Sequence, residues 1–162
     1  MKIPYVNFKT RQGDTNAVGG CTFIGGDWKE VDTTEIFDDK KVVVFALPGA
    51  FTPTCSSEQL PGYEEKYDEI KALGIDEIYC LSVNDAFVMN AWFRDQNISK
   101  VKPIGDGEAK FTDGMGMLVK KPKQGFGMRS WRYSAFIDDC KVLKTFVEEG
   151  KNDESKDDDP FR

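Results

Sequence analysis

A chain of 162 residues, 40% hydrophobic and 31% charged, fits one ordinary globular domain able to bury roughly 70% of the surface its unfolded form exposes. The longest apolar stretch, Val42 to Leu47, is far too short to cross a bilayer, and a net charge of −6 without a basic stripe argues against nucleic acid and acidic membranes as partners. Histidine is absent, which removes Ser-His-Asp triads, Cys-His pairs and metal sites built on imidazole.

The opening residues Met1 to Asn7 lack the apolar core of a secretory signal and the Arg/Ser-rich character of a transit peptide, so the sequence reads as cytoplasmic. Around Gln12-Gly13-Asp14, Gly19-Gly20 and Gly25-Gly26, short extended pieces at Val6 to Thr10 and Cys21 to Ile24 predict an amino-terminal β-hairpin. Thr33 to Phe37 predicts a brief capped helix, and Lys41 to Ala46 a central strand buried on both faces. Leu60, Tyr63, Tyr67, Ile70 and Leu73 recur at helical spacing up to Gly74, with Pro61 set to bend that helix or interrupt a hydrogen bond. Glu77 to Val83 predicts a second buried strand, and Asn84-Asp85 caps a helix from Ala86 to about Gln96. Beyond it come a short strand at Lys102 to Ile104, a helical turn within Glu108 to Met115, and a hairpin of Arg132–Ile137 with Val142–Val147 across an Asp138-Asp139 turn.

This order predicts an α/β layered domain, residues 1–149, with a mixed central β-sheet flanked by helices, parallel in the middle and closed by an antiparallel hairpin. Residues 150–162 are too polar and acidic to form a core and predict a solvated, mobile tail.

Four cysteines, Cys21, Cys55, Cys80 and Cys140, form no C-x-x-C pair, which points away from structural zinc and from a disulfide-dense scaffold. Thiol chemistry or inert burial remains. Cys55 closes the loop Leu47-Pro48-Gly49-Ala50-Phe51-Thr52-Pro53-Thr54-Cys55, between the central strand and its helix. In the first helical turn, free amides and the positive end of the helix dipole favour a thiolate, and the carboxyl end of a strand is where open α/β folds place ligands. Without histidine, the cation beside such a thiolate must be arginine or lysine. Candidates lie in Gly127 to Ser134, and Arg132, at the start of the late hairpin, is preferred to one that only stacks on Trp131 or pairs at the surface.

Pro48-Gly49-Ala50-Phe51-Thr52-Pro53-Thr54-Cys55 resembles the P-x-x-x-T-x-x-C loop of peroxiredoxins, in the longer P-G-A-F-T-P form of their type II, or atypical two-cysteine, branch. Ser82-Val83-Asn84-Asp85-Ala86-Phe87-Val88-Met89-Asn90-Ala91-Trp92 and Trp131-Arg132-Tyr133-Ser134 are similar to that branch too, and the resemblance runs from about Val6 to Glu149. It implies a thioredoxin-like fold and a thiol-specific peroxidase that reduces hydrogen peroxide and small alkyl hydroperoxides through a cysteine sulfenic acid. Cys55 would be the peroxidatic cysteine, Thr52 would hydrogen-bond peroxide and thiolate, and Pro48 would shield the pocket. Arg132 would polarise sulfur and leaving oxygen, and the backbone amides of Thr54 and Cys55 would bind the peroxide. No metal, haem or flavin is implied.

In one group of the branch the resolving cysteine lies where this sequence has Cys80; the alternative is a buried small hydrophobe, with Cys55 resolved from outside. Cys140, expected exposed, is a third option, and Cys21 is expected to pack within the hairpin. For an internal disulfide, the first turn of the Cys55 helix must unwind, with Pro61 limiting the spread. The expected reductants are thioredoxin, glutaredoxin or glutathione. A homodimer through some of Phe51, Phe87, Trp92 and Phe126 is implied as well. A peroxide sensor that relays oxidation to a client protein would use the same Cys55. Family members continue past Asp-Pro-Phe into an acidic amphipathic helix, whereas this sequence stops at Arg162; either it is cut, or a further segment such as a fused reductant domain follows, or the tail ends there.

Overall fold

The computed structural model describes residues 1–13 and 26–151. Strand β1 (Asn7–Gln12) pairs antiparallel with β2 (Asp27–Asp32), so the amino-terminal hairpin forms, with its return strand later than the Cys21–Ile24 piece. That piece, and the expected packing of Cys21, lie outside the described residues, as do residues 152–162 of the acidic tail. Helix α1 (Thr33–Phe37) is capped by the Asp32 carboxylate, which accepts from the Glu35 amide at 2.9 Å.

The main sheet holds β3 (Lys41–Leu47), β4 (Glu77–Ser82), β5 (Lys102–Gly105), β8 (Tyr133–Asp138) and β9 (Lys141–Val147) in the order β5-β4-β3-β8-β9. Strands β3, β4 and β5 run parallel, and β8 and β9 close one side antiparallel. The thioredoxin-like arrangement follows from the β-branched run of β3, which can be buried on both faces. Val42, Val44 and Ala46 face a core with Phe37, Phe111 and Trp131; Phe45 and Leu47 face a second core with Cys55, Leu60, Cys80 and Trp92. A separate hairpin of β6 (Leu118–Lys121) and β7 (Gly127–Ser130) was not legible as strands. No helix among the described residues is long and apolar enough to cross a membrane.

Three local expectations are corrected. The segment after the loop is not one amphipathic helix but a π-helical turn (Cys55–Gln59), α2 (Leu60–Glu65) and α3 (Tyr67–Ala72), with a break at Lys66. Pro61 has no N–H for the Ser57 carbonyl, and its ring would crowd that oxygen in a regular helix. The wider turn ahead of it, where the Leu60 amide bonds the Cys55 carbonyl, relieves the clash. Leu73 is the residue that terminates α3, and at 84% exposure it leaves the buried stripe. The β8–β9 turn is Asp139-Cys140 rather than Asp138-Asp139: φ of 47° and 65° match the left-handed pair that a two-residue hairpin requires. Cys140 is accordingly half-buried within the turn.

Helix α4 (Ala86–Asp95) starts where expected, with the Asp85 carboxylate accepting from the Val88 amide at 2.9 Å. The short α5 (Lys110–Gly114) follows β5, and the buried Asp106 carboxylate accepts from the Phe111 and Thr112 amides ahead of it.

Candidate active site

The loop from Pro48 to Thr54 leaves the carboxyl end of β3 and is tied to the neighbouring strand end. The Asn84 side-chain oxygen accepts from the Ala50 amide at 3.0 Å and from the Ser82 hydroxyl at 2.6 Å. Within the loop, the Thr52 hydroxyl donates to the Gly49 carbonyl at 2.6 Å, so its lone pairs remain as acceptors. The Ser56 amide donates to the Thr52 carbonyl at 3.0 Å, and the amides of Thr54 and Cys55 precede that first bonded turn. The Ser56 hydroxyl in turn accepts from the Trp92 indole at 2.9 Å, which pins the start of the turn to α4.

Cys55 is 1% exposed, and Arg132 places Nη2 at 3.7 Å from its sulfur. The guanidinium is fixed by two further groups. Its Nε donates to Gln59 Oε1 at 2.8 Å, and Nη1 lies 3.3 Å from the Glu148 carboxylate. Sheet parity explains the approach. Tyr133 points into the core of Phe37 and Trp131, so Arg132 and Ser134 face the Cys55 side. The cation over Trp131 is Lys121, with Nζ 4.9 Å from the ring centroid.

Cys55, Thr52, Pro48 and Thr54 from the sequence reading thus share one loop and turn, with Pro48 buried, and Arg132 reaches Cys55 from the late hairpin. Gln59 and Glu148 were missed. Gln59 had a usable signal, since four residues after Cys55 it returns to the same helix face; Glu148 had none, because its pairing depends on the β8–β9 register. Arg129 was only one candidate within Gly127 to Ser134; it crosses the same loop, with Nη1 3.4 Å from the Pro48 carbonyl.

Cys80 shares the buried cluster of Cys55, on the sheet face of Ile78, and no disulfide joins the two. Burial pushes its thiol pKa well above the usual range, and the charge of Cys55 adds to the effect. Of the aromatics expected at an interface, Trp92 is fully buried and belongs to the core, Phe87 packs edge-on against Trp28, and Phe51 is 54% exposed.

Two other features lie away from Cys55. A cleft of about 260 Å3 opens between β1 and β5, lined by Phe8, Trp28, Asp85, Asp106 and Glu108, and offers no nucleophilic thiol. Asp38, Asp139 and Cys140 bring their ligand atoms within 4.8 Å of one another at the β8–β9 turn.

A cysteine in the first turn after the central strand of a thioredoxin-like sheet, faced by arginine, defines a thiol oxidoreductase, and the Redoxin family model matches residues 7–159. Peroxiredoxin sll1621 of Synechocystis is 53% identical over 147 residues, 91% of this chain and 76% of the relative. Among solved structures, the Plasmodium falciparum antioxidant protein, described as a 1-Cys peroxiredoxin, is 41% identical with a TM-score of 0.83, covering 93% of this chain and 85% of its own. Reduced Prx3 of Vibrio vulnificus, solved in complex with hydrogen peroxide, is 38% identical with a TM-score of 0.80, over 94% and 85%. The chain belongs to the peroxiredoxin family and is a thiol peroxidase.

Proposed function

We propose that Cys55 is the peroxidatic cysteine of a peroxidase acting on hydrogen peroxide and small alkyl hydroperoxides. The observation that carries this is the Arg132 guanidinium 3.7 Å from the Cys55 sulfur. The thiolate attacks one peroxide oxygen: the S–O bond forms as the O–O bond breaks, and hydroxide or alkoxide takes a proton to depart as water or alcohol. Arg132 donates to sulfur and to the oxygen that gains charge. Thr52, its own hydrogen committed to Gly49, accepts from the incoming hydroperoxide O–H. The amides of Thr54 and Cys55 donate to the peroxide, and Pro48 keeps bulk water off the sulfur.

Stopped-flow peroxide reduction tests the assignment. Cys55→Ser abolishes turnover while Cys80→Ser retains the first oxidation; substantial peroxide consumption by Cys55→Ser refutes it.

Two routes return Cys55 to the thiol. In the first, Cys80 resolves the sulfenic acid, which requires the Cα atoms to come within about 7 Å. The π turn at Cys55–Gln59 supports this route, because a turn with wider hydrogen-bond closure is a ready place to open. In the second, an external thiol does so. It is supported by the complete burial of Cys80, its raised thiol pKa and the similarity to a relative described as 1-Cys. Mass analysis after one equivalent of peroxide separates them: loss of two hydrogens with a linked Cys55–Cys80 peptide after digestion marks the internal route, and gain of one oxygen marks the external one. Thioredoxin, or glutaredoxin with glutathione, is the reductant we infer, in a reducing compartment such as the cytoplasm. The exposed Phe51 supports a homodimer, to be checked by sedimentation.

A further inference from the structure

Arg129 sits on β7 and reaches across the loop that holds Cys55. Its Nε donates to the Phe126 carbonyl at 3.1 Å, Nη1 donates to the Pro48 carbonyl at 3.4 Å, and its guanidinium carbon lies 5.3 Å from the Phe126 ring centroid. Glycine at position 49 makes room for it: a Cβ there would stand 2.8 Å from Nη1 and 3.1 Å from Thr52 Cγ2. Arg132 is engaged by Gln59, Glu148 and Cys55, whereas no carboxylate among the described residues pairs with Arg129. Burial lowers the pKa of Arg129 and the charge on Cys55 opposes that shift, which marks the two groups as electrostatic neighbours.

Such a group is a planar, charged fork, half-buried, steadied at two points by backbone oxygens and still carrying N–H groups that no described residue accepts, against the loop that leads to the reacting sulfur. A fork of this kind matches a carboxylate in bidentate fashion. We propose that Arg129 binds the carboxylate of a carboxylate-bearing reactant at Cys55. The proposal rests on Cys55 being the peroxidatic cysteine.

Two reactants meet that sulfur. One is the hydroperoxide, which an organic acid chain can equip with a carboxylate. The other is the thiol that reduces the sulfenic acid: its sulfur bonds to the Cys55 sulfur as the S–O bond breaks, and its proton leaves with the hydroxyl as water. Glutathione is such a thiol and carries two carboxylates. The recognition chemistry is the same in both cases, so the test needs an arm for each.

The full chain, in a Cys80→Ser background so that every thiol meets the Cys55 sulfenic acid, is compared with its Arg129→Gln and Arg129→Lys forms. One arm measures oxidation by a fatty-acid hydroperoxide and by its methyl ester. The other measures single-turnover reduction by glutathione and by its dimethyl ester. Arg129→Gln lowers the acid-to-ester rate ratio about tenfold in one arm or both, the scale of a charge-assisted pair, and Arg129→Lys recovers part of it. The ratio, unlike either rate alone, does not move if the variant merely loosens Pro48. A drop confined to the first arm assigns the carboxylate to the peroxide, and a drop confined to the second assigns it to the reductant. Unchanged ratios in both arms, with a parent that consumes peroxide, overturn the proposal. A parent that consumes none overturns the Cys55 assignment instead.

Discussion

Gln59 and Cys55 grip the same arginine from one turn of chain: the Gln59 side-chain oxygen Oε1 accepts from Arg132 Nε at 2.8 Å, and the Cys55 sulfur lies 3.7 Å from Nη2. The guanidinium is thereby tied to the element that carries the sulfur, and this arrangement of the turn sets the two groups against each other. Arg132→Gln removes both charge and fork and should lower kcat/KM for hydrogen peroxide about 10²- to 10³-fold, the scale of losing one transition-state donor. Gln59→Ala leaves the charge but frees its aim and should cost about three- to tenfold, with KM and kcat both measured.

Cys80 supplies a pH-dependent prediction. Its pKa is raised by burial and then by Cys55, so the unfolded chain ionises this thiol before the native one does. Its contribution to stability is therefore fully present below the usual thiol pKa and is lost as pH rises towards the native value. Tyr67, pushed up to about 12 by burial and then by Glu77, acts in the same direction at higher pH. Urea midpoints should fall between pH 8 and 10.5, and Cys80→Ala should flatten the first part of that fall. Iodoacetamide at pH 8 should spare Cys80 in the native protein and label it in urea.

Glu64 makes the opposite prediction at acid pH. Burial works to raise its pKa, but hydrogen bonds from the amides of Ser99, Val101 and Lys100 outweigh it and the pKa is lowered. The stability it confers is present above the unfolded carboxyl pKa and is lost as pH falls through the lower native value. Glu64→Gln should lower the urea midpoint at pH 7, and the gap to the parent should narrow as pH falls through the acid range below the ordinary carboxylate pKa, in paired urea titrations.

Gly49→Ala isolates space from charge. Its new methyl group stands 2.8 Å from Arg129 Nη1 and 3.1 Å from Thr52 Cγ2, so the guanidinium must leave the Pro48 carbonyl to make room. Thermal stability should fall as that hydrogen bond is lost, while the preference for a carboxylate-bearing over an esterified reactant falls as it does in Arg129→Gln. An unchanged preference would separate the guanidinium's position from its binding role.

The sheet was legible because its signals are local. The valine run of β3, the Asp85 cap and the Gly74 stop each act within a few residues. Cys55 was legible for the same reason, as a thiol where a strand hands over to a helix, and Arg132 through its position beside the strand that returns to β3. The β6–β7 hairpin was not, because its apolar residues are few and half of β7 is glycine and exposed methionine. Glu148 could be found only from strand register, and the π turn only from the clash that Pro61 would make with a carbonyl four residues earlier.

That wide turn gives the molecule slack at one point. Leu60 bonds back five residues to Cys55, so the segment holds one residue more than a regular coil would need to span the same rise. Removing the surplus swings the side chain ahead of it by about 100° while everything after Pro61 keeps its seat against the sheet. The sulfur is mounted on a crank, and faster amide exchange at residues 55–59 than in α2 would show it turning.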